Sequence, residues 1–109
     1  MKKPKITKGE WHLGKRAGAE YGAIYGEKGE EIALPLGFFS TEEEARANAK
    51  CIAAAPAMAE ALERALFLLE ENLQNLCDMD REEDQEQIEK LDAEIQAVRA
   101  TLTLAGYEF

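Results

Sequence analysis

Apolar residues recur along the last part of the chain at alternating spacings of three and four: Ile88, Leu91, Ile95, Val98 and Leu102. That repeat is a coiled-coil seam and predicts a helix over 80–105. Upstream, Met58, Leu62, Leu66, Leu69, Leu73 and Leu76 lie at helical spacing with Ala61 and Ala65 alongside, predicting a helix over 56–77. A stripe of smaller residues, Ala45, Ala49, Ile52 and Ala53, predicts a further helix over 40–55. The pattern changes in the first third. Short segments divided by glycine (10–13, 20–25 and 31–36) mix aromatic and β-branched residues with small or polar ones, as half-buried strands do.

Local punctuation sharpens these elements. Gly26-Glu27-Lys28-Gly29 is a hairpin connection, and Gly14 to Gly18 reads as a second, looser turn. Pro35 cannot donate to a strand ladder and marks an edge or an end. Ser40-Thr41-Glu42-Glu43 has the form of a capping box in which the Ser40 hydroxyl accepts from the Glu43 amide. Asp80-Arg81-Glu82-Glu83 has the same form. Pro56 inside a helix would clash with the Ile52 carbonyl and cost about 3 kcal/mol, whereas at the first position of a new helix it costs little. A break or sharp kink is therefore predicted at 54–56. Gly106 ends the last helix and leaves Tyr107 and Phe109 to anchor the tail.

The predicted fold is α+β. A basic arm (1–8) precedes a three-stranded antiparallel meander (9–39), a short helix (40–55) and a long antiparallel, coiled-coil-like helical hairpin (56–77 and 80–105). At 109 residues this is a single domain with one modest core. So long a seam on so small a domain predicts a homo-oligomer, dimer or higher, with Leu62, Leu66, Leu69, Leu73, Ile88, Leu91, Ile95, Val98 and Leu102 at the interface.

Charge narrows the partners. The net charge of -9 divides into +2 over residues 1–40 and -11 over residues 41–109. So acidic a chain does not coat a phosphate backbone, which excludes direct nucleic-acid binding. No apolar run reaches the roughly 18 residues of a membrane helix. The N-terminus has no secretory signal pattern, and Cys51 and Cys77 lack metal or redox spacing, so a cytoplasm with reduced thiols is expected.

Candidate chemistry is sparse. The single His12 has no evident nucleophile or orienting acid, and no phosphate-loop, nucleophile-elbow or zinc-helix motif occurs. The expectation is a protein that is not an enzyme and needs no cofactor or metal. Acids at 78, 80, 82, 84, 86 and 89 match the offsets of a calcium loop, but Glu83 stands where its turn needs glycine. Near the N-terminus, Trp11, Tyr21 and Tyr25 share a short region with Lys15, Arg16 and Lys28. Aromatic faces stack bases and cations meet phosphates, so these residues are a candidate small-nucleotide site that Arg46, Asn48 and Lys50 could complete. The competing reading makes the aromatics core and the cations solvated.

The segment Ala47-Asn48-Ala49-Lys50-Cys51-Ile52-Ala53-Ala54-Ala55-Pro56, with Gly9-Glu10-Trp11 upstream, resembles a largely uncharacterised family of small bacteriophage and prophage proteins. Its members carry an N-terminal tryptophan and an "ANAxxIAAAP" helix segment. The likeness covers roughly 9–70. It implies a phage origin, residence in the host bacterial cytoplasm and an accessory role such as anti-defence or host takeover. The expected partner is then a small nucleotide signal or a host defence protein, the latter inhibited through the acidic helices. A structural or assembly role is the third alternative.

Overall fold

The computed structural model describes residues 1–16, 19–33 and 41–109, without the side chains of residues 15, 16, 19–22 and 42. Three strands, β1 (His12–Arg16), β2 (Ala19–Tyr25) and β3 (Glu31–Ala33), precede two helices, α1 (Glu42–Met79) and α2 (Gln85–Leu104). A single 3-10 turn, Glu82–Asp84, leads into α2. The chain divides into two compact units, finer than the single domain its length suggests. One comprises Lys5–Met58, the other Met1–Pro4 with Ala59–Phe109.

In the Lys5–Met58 unit the strands form an antiparallel sheet in the order β1-β2-β3, the expected meander. His12 faces Tyr25, Leu13 faces Ile24 and Gly14 faces Ala23, with an irregularity before Arg16 pairs with Ala19. The strand thus runs through Gly14, Lys15 and Arg16, which the sequence assigned to a turn. Pairing is possible there because the bulge absorbs the extra residue. The β2–β3 connection forms as expected. Gly29 N–H donates to the Gly26 carbonyl at 3.1 Å and Gly26 N–H to Glu30 at 2.9 Å. Gly29 has φ +80°, the left-handed conformation that closes a three-residue hairpin loop. Among the described residues of this unit, Ala23 and Ile24 of β2 and Ala45 and Ala49 of α1 are the buried hydrophobic side chains. The expected strand end at Pro35 and the Ser40 cap lie outside the described residues.

Helix α1 starts one residue later than the capping-box reading places it. The Thr41 hydroxyl accepts from the Glu44 amide at 3.1 Å. Ser-Thr followed by three glutamates offers two such pairings, and the one through Thr41 is formed among the described residues. The helix then continues through Pro56 for 38 residues, so the predicted break, and with it a separate short helix, is corrected. Alanine is the best helix former, and Ala53, Ala54, Ala55, Ala57 and Ala59 surround the proline. Cooperative helix on both sides outweighs one missing hydrogen bond. The units nevertheless divide at Met58–Ala59, within a turn of Pro56.

In the second unit α1 and α2 form the expected hairpin. Leu66, Ile95, Leu102 and Tyr107 make its buried cluster, with Ala59, Leu62, Leu69, Leu73 and Val98 packed around it. The connection corrects the second capping-box reading: no side chain caps the 3-10 turn or α2. Asp80 instead leaves α1 with φ +48°, its amide bonded to the Cys77 carbonyl. The Arg81 guanidinium meets the buried Asp84 carboxylate at 2.7 Å. A left-handed residue with a Cβ is strained. Asp80→Gly is accordingly expected to raise stability by about 0.5–1 kcal/mol, read as a higher urea midpoint at unchanged slope. A lower midpoint would show that the Asp80 side chain supports the loop.

Helix α2 ends as Gly106 predicts. Tyr107 N–H bonds to the Leu102 carbonyl and Gly106 N–H to that of Thr103, both at 3.0 Å, with Gly106 at φ +97°. This is the Schellman pattern, and its accompanying apolar contact is Tyr107 with Leu102. The tail pairs with the first residues: Lys2 N–H bonds to Glu108 at 2.6 Å and Glu108 N–H returns to Lys2 at 2.8 Å. The start of the predicted basic arm is thus fixed to the C-terminus.

Candidate functional site

Among the described residues β1 is an edge strand, and His12, Tyr25 and Trp11 lie on it, paired with it and just before it. The Tyr25 and His12 rings, on directly paired residues, lie 6.2 Å apart and tilted by 36°. One step along the same pair, the Tyr25 ring covers Gly14 so closely that a Cβ there would sit 2.6 Å from two ring carbons. Glycine is needed at position 14 for that close approach. Trp11 precedes the strand, half-buried, its indole N–H donating to the Thr7 carbonyl at 3.1 Å. The N-terminal segment stays close to the hairpin loop, since a Cβ on Gly9 would collide with the Glu27 carboxylate.

Of the residues named from sequence, Trp11 and Tyr25 are thus half-buried. Lys15 and Arg16 fall within β1 and Tyr21 within β2, but the side chains of all three lie outside the described residues. Arg46 and Asn48 are exposed on α1. Two residues apart, they stand about 200° apart around the helix and share no face. Arg46 instead joins Thr41, Glu43, Ala47 and Lys50 in lining an open depression of about 570 Å³. Lys50, four residues on from Arg46, shares this depression with it, whereas Asn48 does not line it.

The chemistry this arrangement allows is stacking and charge attraction. Among the described residues His12 has no hydrogen bond to an acid or hydroxyl. Among them, too, no three His, Cys, Asp or Glu side chains gather as metal ligands would. The acids of the 78–89 run are distributed over the end of α1, the 3-10 turn and the start of α2. Cys51 and Cys77 are free and exposed. No helix among the described residues is long and apolar enough to cross a membrane.

The residues assigned to an oligomer interface have a place within the chain. Leu66, Ile95 and Leu102 are buried between α1 and α2, with Leu62, Leu69, Leu73 and Val98 packed on them. Ile88 and Leu91 are half-buried on α2. The polar links of the hairpin are equally internal. Arg99 Nη2 donates to Glu70 at 2.9 Å while its guanidinium lies 5.6 Å from the centre of the Phe109 ring. The Tyr107 hydroxyl donates to Glu63, which also meets the Lys3 ammonium at 2.8 Å. The Tyr107 phenol is pushed up to about 12, chiefly by that hydrogen bond and then by burial. Glu63 is held below the usual carboxylate range by Lys3 and then Tyr107. Nothing in the sequence pattern signals this pairing, because its partners are far apart in the chain.

The profile of one protein family, described as Salmonella phage P22 protein Y8K6, matches residues 1–103. No curated protein and no solved structure matches the chain.

Proposed function

The chain belongs to the Salmonella phage P22 protein Y8K6 family, and from that premise we propose that it is a non-enzymatic binding protein that sequesters a small nucleotide signal in the infected bacterium. Such a protein would act against host defence or in host takeover, in the host cytoplasm and as an oligomer. The supporting observation is the aromatic edge of the sheet. The His12 and Tyr25 rings meet where β1 begins, Trp11 immediately precedes the strand, and the same strand carries Lys15 and Arg16. Each stacked base on such a ring contributes about 1–3 kcal/mol, and cations placed beside it neutralise phosphates. The positive N-terminal third of an otherwise acidic chain is where an anionic ligand meets least repulsion.

Calorimetry of the full chain against cyclic dinucleotides, cyclic trinucleotides and cyclic ADP-ribose isomers tests the reading. One class is expected to give saturable heat, weakened about tenfold or more by Trp11→Ala. A panel that gives no heat at all overturns it.

A further inference from the structure

Helix α1 has a second stripe, of small and amide residues around a central leucine, that α2 leaves largely exposed. At about 100° per residue, Ala61, Ala65, Leu68, Asn72 and Asn75 form a row roughly 100° around α1 from the Leu62–Leu66–Leu69–Leu73 face. They repeat at spacings of four, three, four and three, the pattern of a seam between paired helices. Leu68 is 59% exposed at its centre, and Met79, at 55%, continues it. Leu62 and Leu69 border the row on one side and are only half-buried by the hairpin, so the stripe is continuous with the unit's own core.

The opposite border says what fits there. It carries Arg64 and Glu71, two turns apart. Arg64 is the only cation between Lys50 and Arg81. Among the described residues neither side chain has an ion-pair or hydrogen-bond partner. Two such stripes laid antiparallel put Arg64 of one opposite Glu71 of the other, twice by symmetry. The same register seats Leu68 of each against Ala65 of the other and brings Leu62 beside Leu69. A parallel pairing would set Arg64 and Glu71 against leucines and leave the charges unmatched.

We propose that α1 pairs antiparallel with α1 of a second copy through Ala61, Ala65, Leu68 and Asn72, in the register that places Arg64 opposite the partner's Glu71. This surface is distinct from the Leu66–Ile95–Leu102 cluster inside the hairpin. It deepens the oligomer part of the proposed function and rests on no nucleotide.

The test is sedimentation velocity of the full chain without ligand, over a concentration series reaching about 100 μM, a range in which micromolar pairing is populated. Wild-type protein is expected to shift from monomer to dimer. Arg64→Glu and Glu71→Arg, both at exposed positions, should each weaken the dimer about tenfold, and the double exchange should restore it. Leu68→Glu should leave monomer, with helix content unchanged by circular dichroism. A monomer at every concentration, a dimer indifferent to Leu68→Glu, or a double exchange no better than the single ones overturns the proposal. Mass is read here rather than ligand heat, so a negative result leaves the nucleotide reading standing, and a silent nucleotide panel leaves this one standing.

Discussion

Leu102→Ala is expected to lower stability by about 3 kcal/mol, while Leu104→Ala, two residues further on, changes it by less than about 0.5 kcal/mol. Leu102 is fully buried in the cluster with Leu66, Ile95 and Tyr107, whereas Leu104 is 90% exposed. Truncating Leu102 removes about three methylene-sized groups and leaves a space that two helices joined by a tight turn cannot readily close. Leu102 also precedes the turn of chain that returns Tyr107 to the cluster, so its contact is the apolar half of the helix-ending motif. Urea unfolding followed by far-ultraviolet circular dichroism reads the helices directly. Equal midpoints for the two variants would mean that the last turn of α2 does not pack as described.

That contrast between two leucines was legible in the sequence, because the three–four repeat includes Leu102 and omits Leu104. The same repeat identified α2 and the core face of α1. The meander and the Gly29 turn were equally visible, since alternation and a glycine with positive φ are local signals. The rule for proline in a helix predicts a break at Pro56 because it considers that residue alone. The structure weighs that residue against the alanines around it. The two capping boxes show what a local motif leaves open. Ser40-Thr41-Glu42-Glu43-Glu44 allowed two registers, and Asp80 matched a cap pattern while the chain needed a left-handed residue to leave α1.

The apolar repeat places the residues assigned to an oligomer interface on a covered face without saying which chain covers it. Here α2 covers the Leu66–Leu73 face. The stripe through Leu68 was harder to read because alanine and asparagine occupy most of its positions. The nucleotide candidates divide for a similar reason. Trp11 and Tyr25 meet neighbours within the sheet and its lead-in, which short-range reasoning anticipates. Asn48 and Arg46 were joined by proximity in sequence although the helix turns them apart.

The pairing least visible from sequence carries a pH dependence on both sides of neutrality. Glu63, Lys3 and Tyr107 bring both chain ends onto one carboxylate of α1, and Tyr107 is only 7% exposed. The folded-state phenol is pushed up to about 12 by its hydrogen bond to Glu63 and by burial, against about 10 in an unfolded chain. Its contribution is therefore complete below about pH 10, declines as pH rises from about 10 to about 12, and is absent above. Glu63 behaves in the opposite sense. Held low by Lys3 and Tyr107, it contributes fully above the unfolded value of about 4.3, and that contribution disappears as pH falls through its lowered folded value. Glu63→Gln keeps the shape but removes the charge, and should cost about 1–2 kcal/mol at neutral pH. It should also flatten both limbs of the stability profile. Tyr107→Phe should abolish the alkaline limb and leave most of the acid one, because the Lys3 bond to Glu63 remains. Urea midpoints measured from pH 3 to 11.5 separate these outcomes. An alkaline limb that persists in Tyr107→Phe would show that another group, and not this phenol, opens the tail.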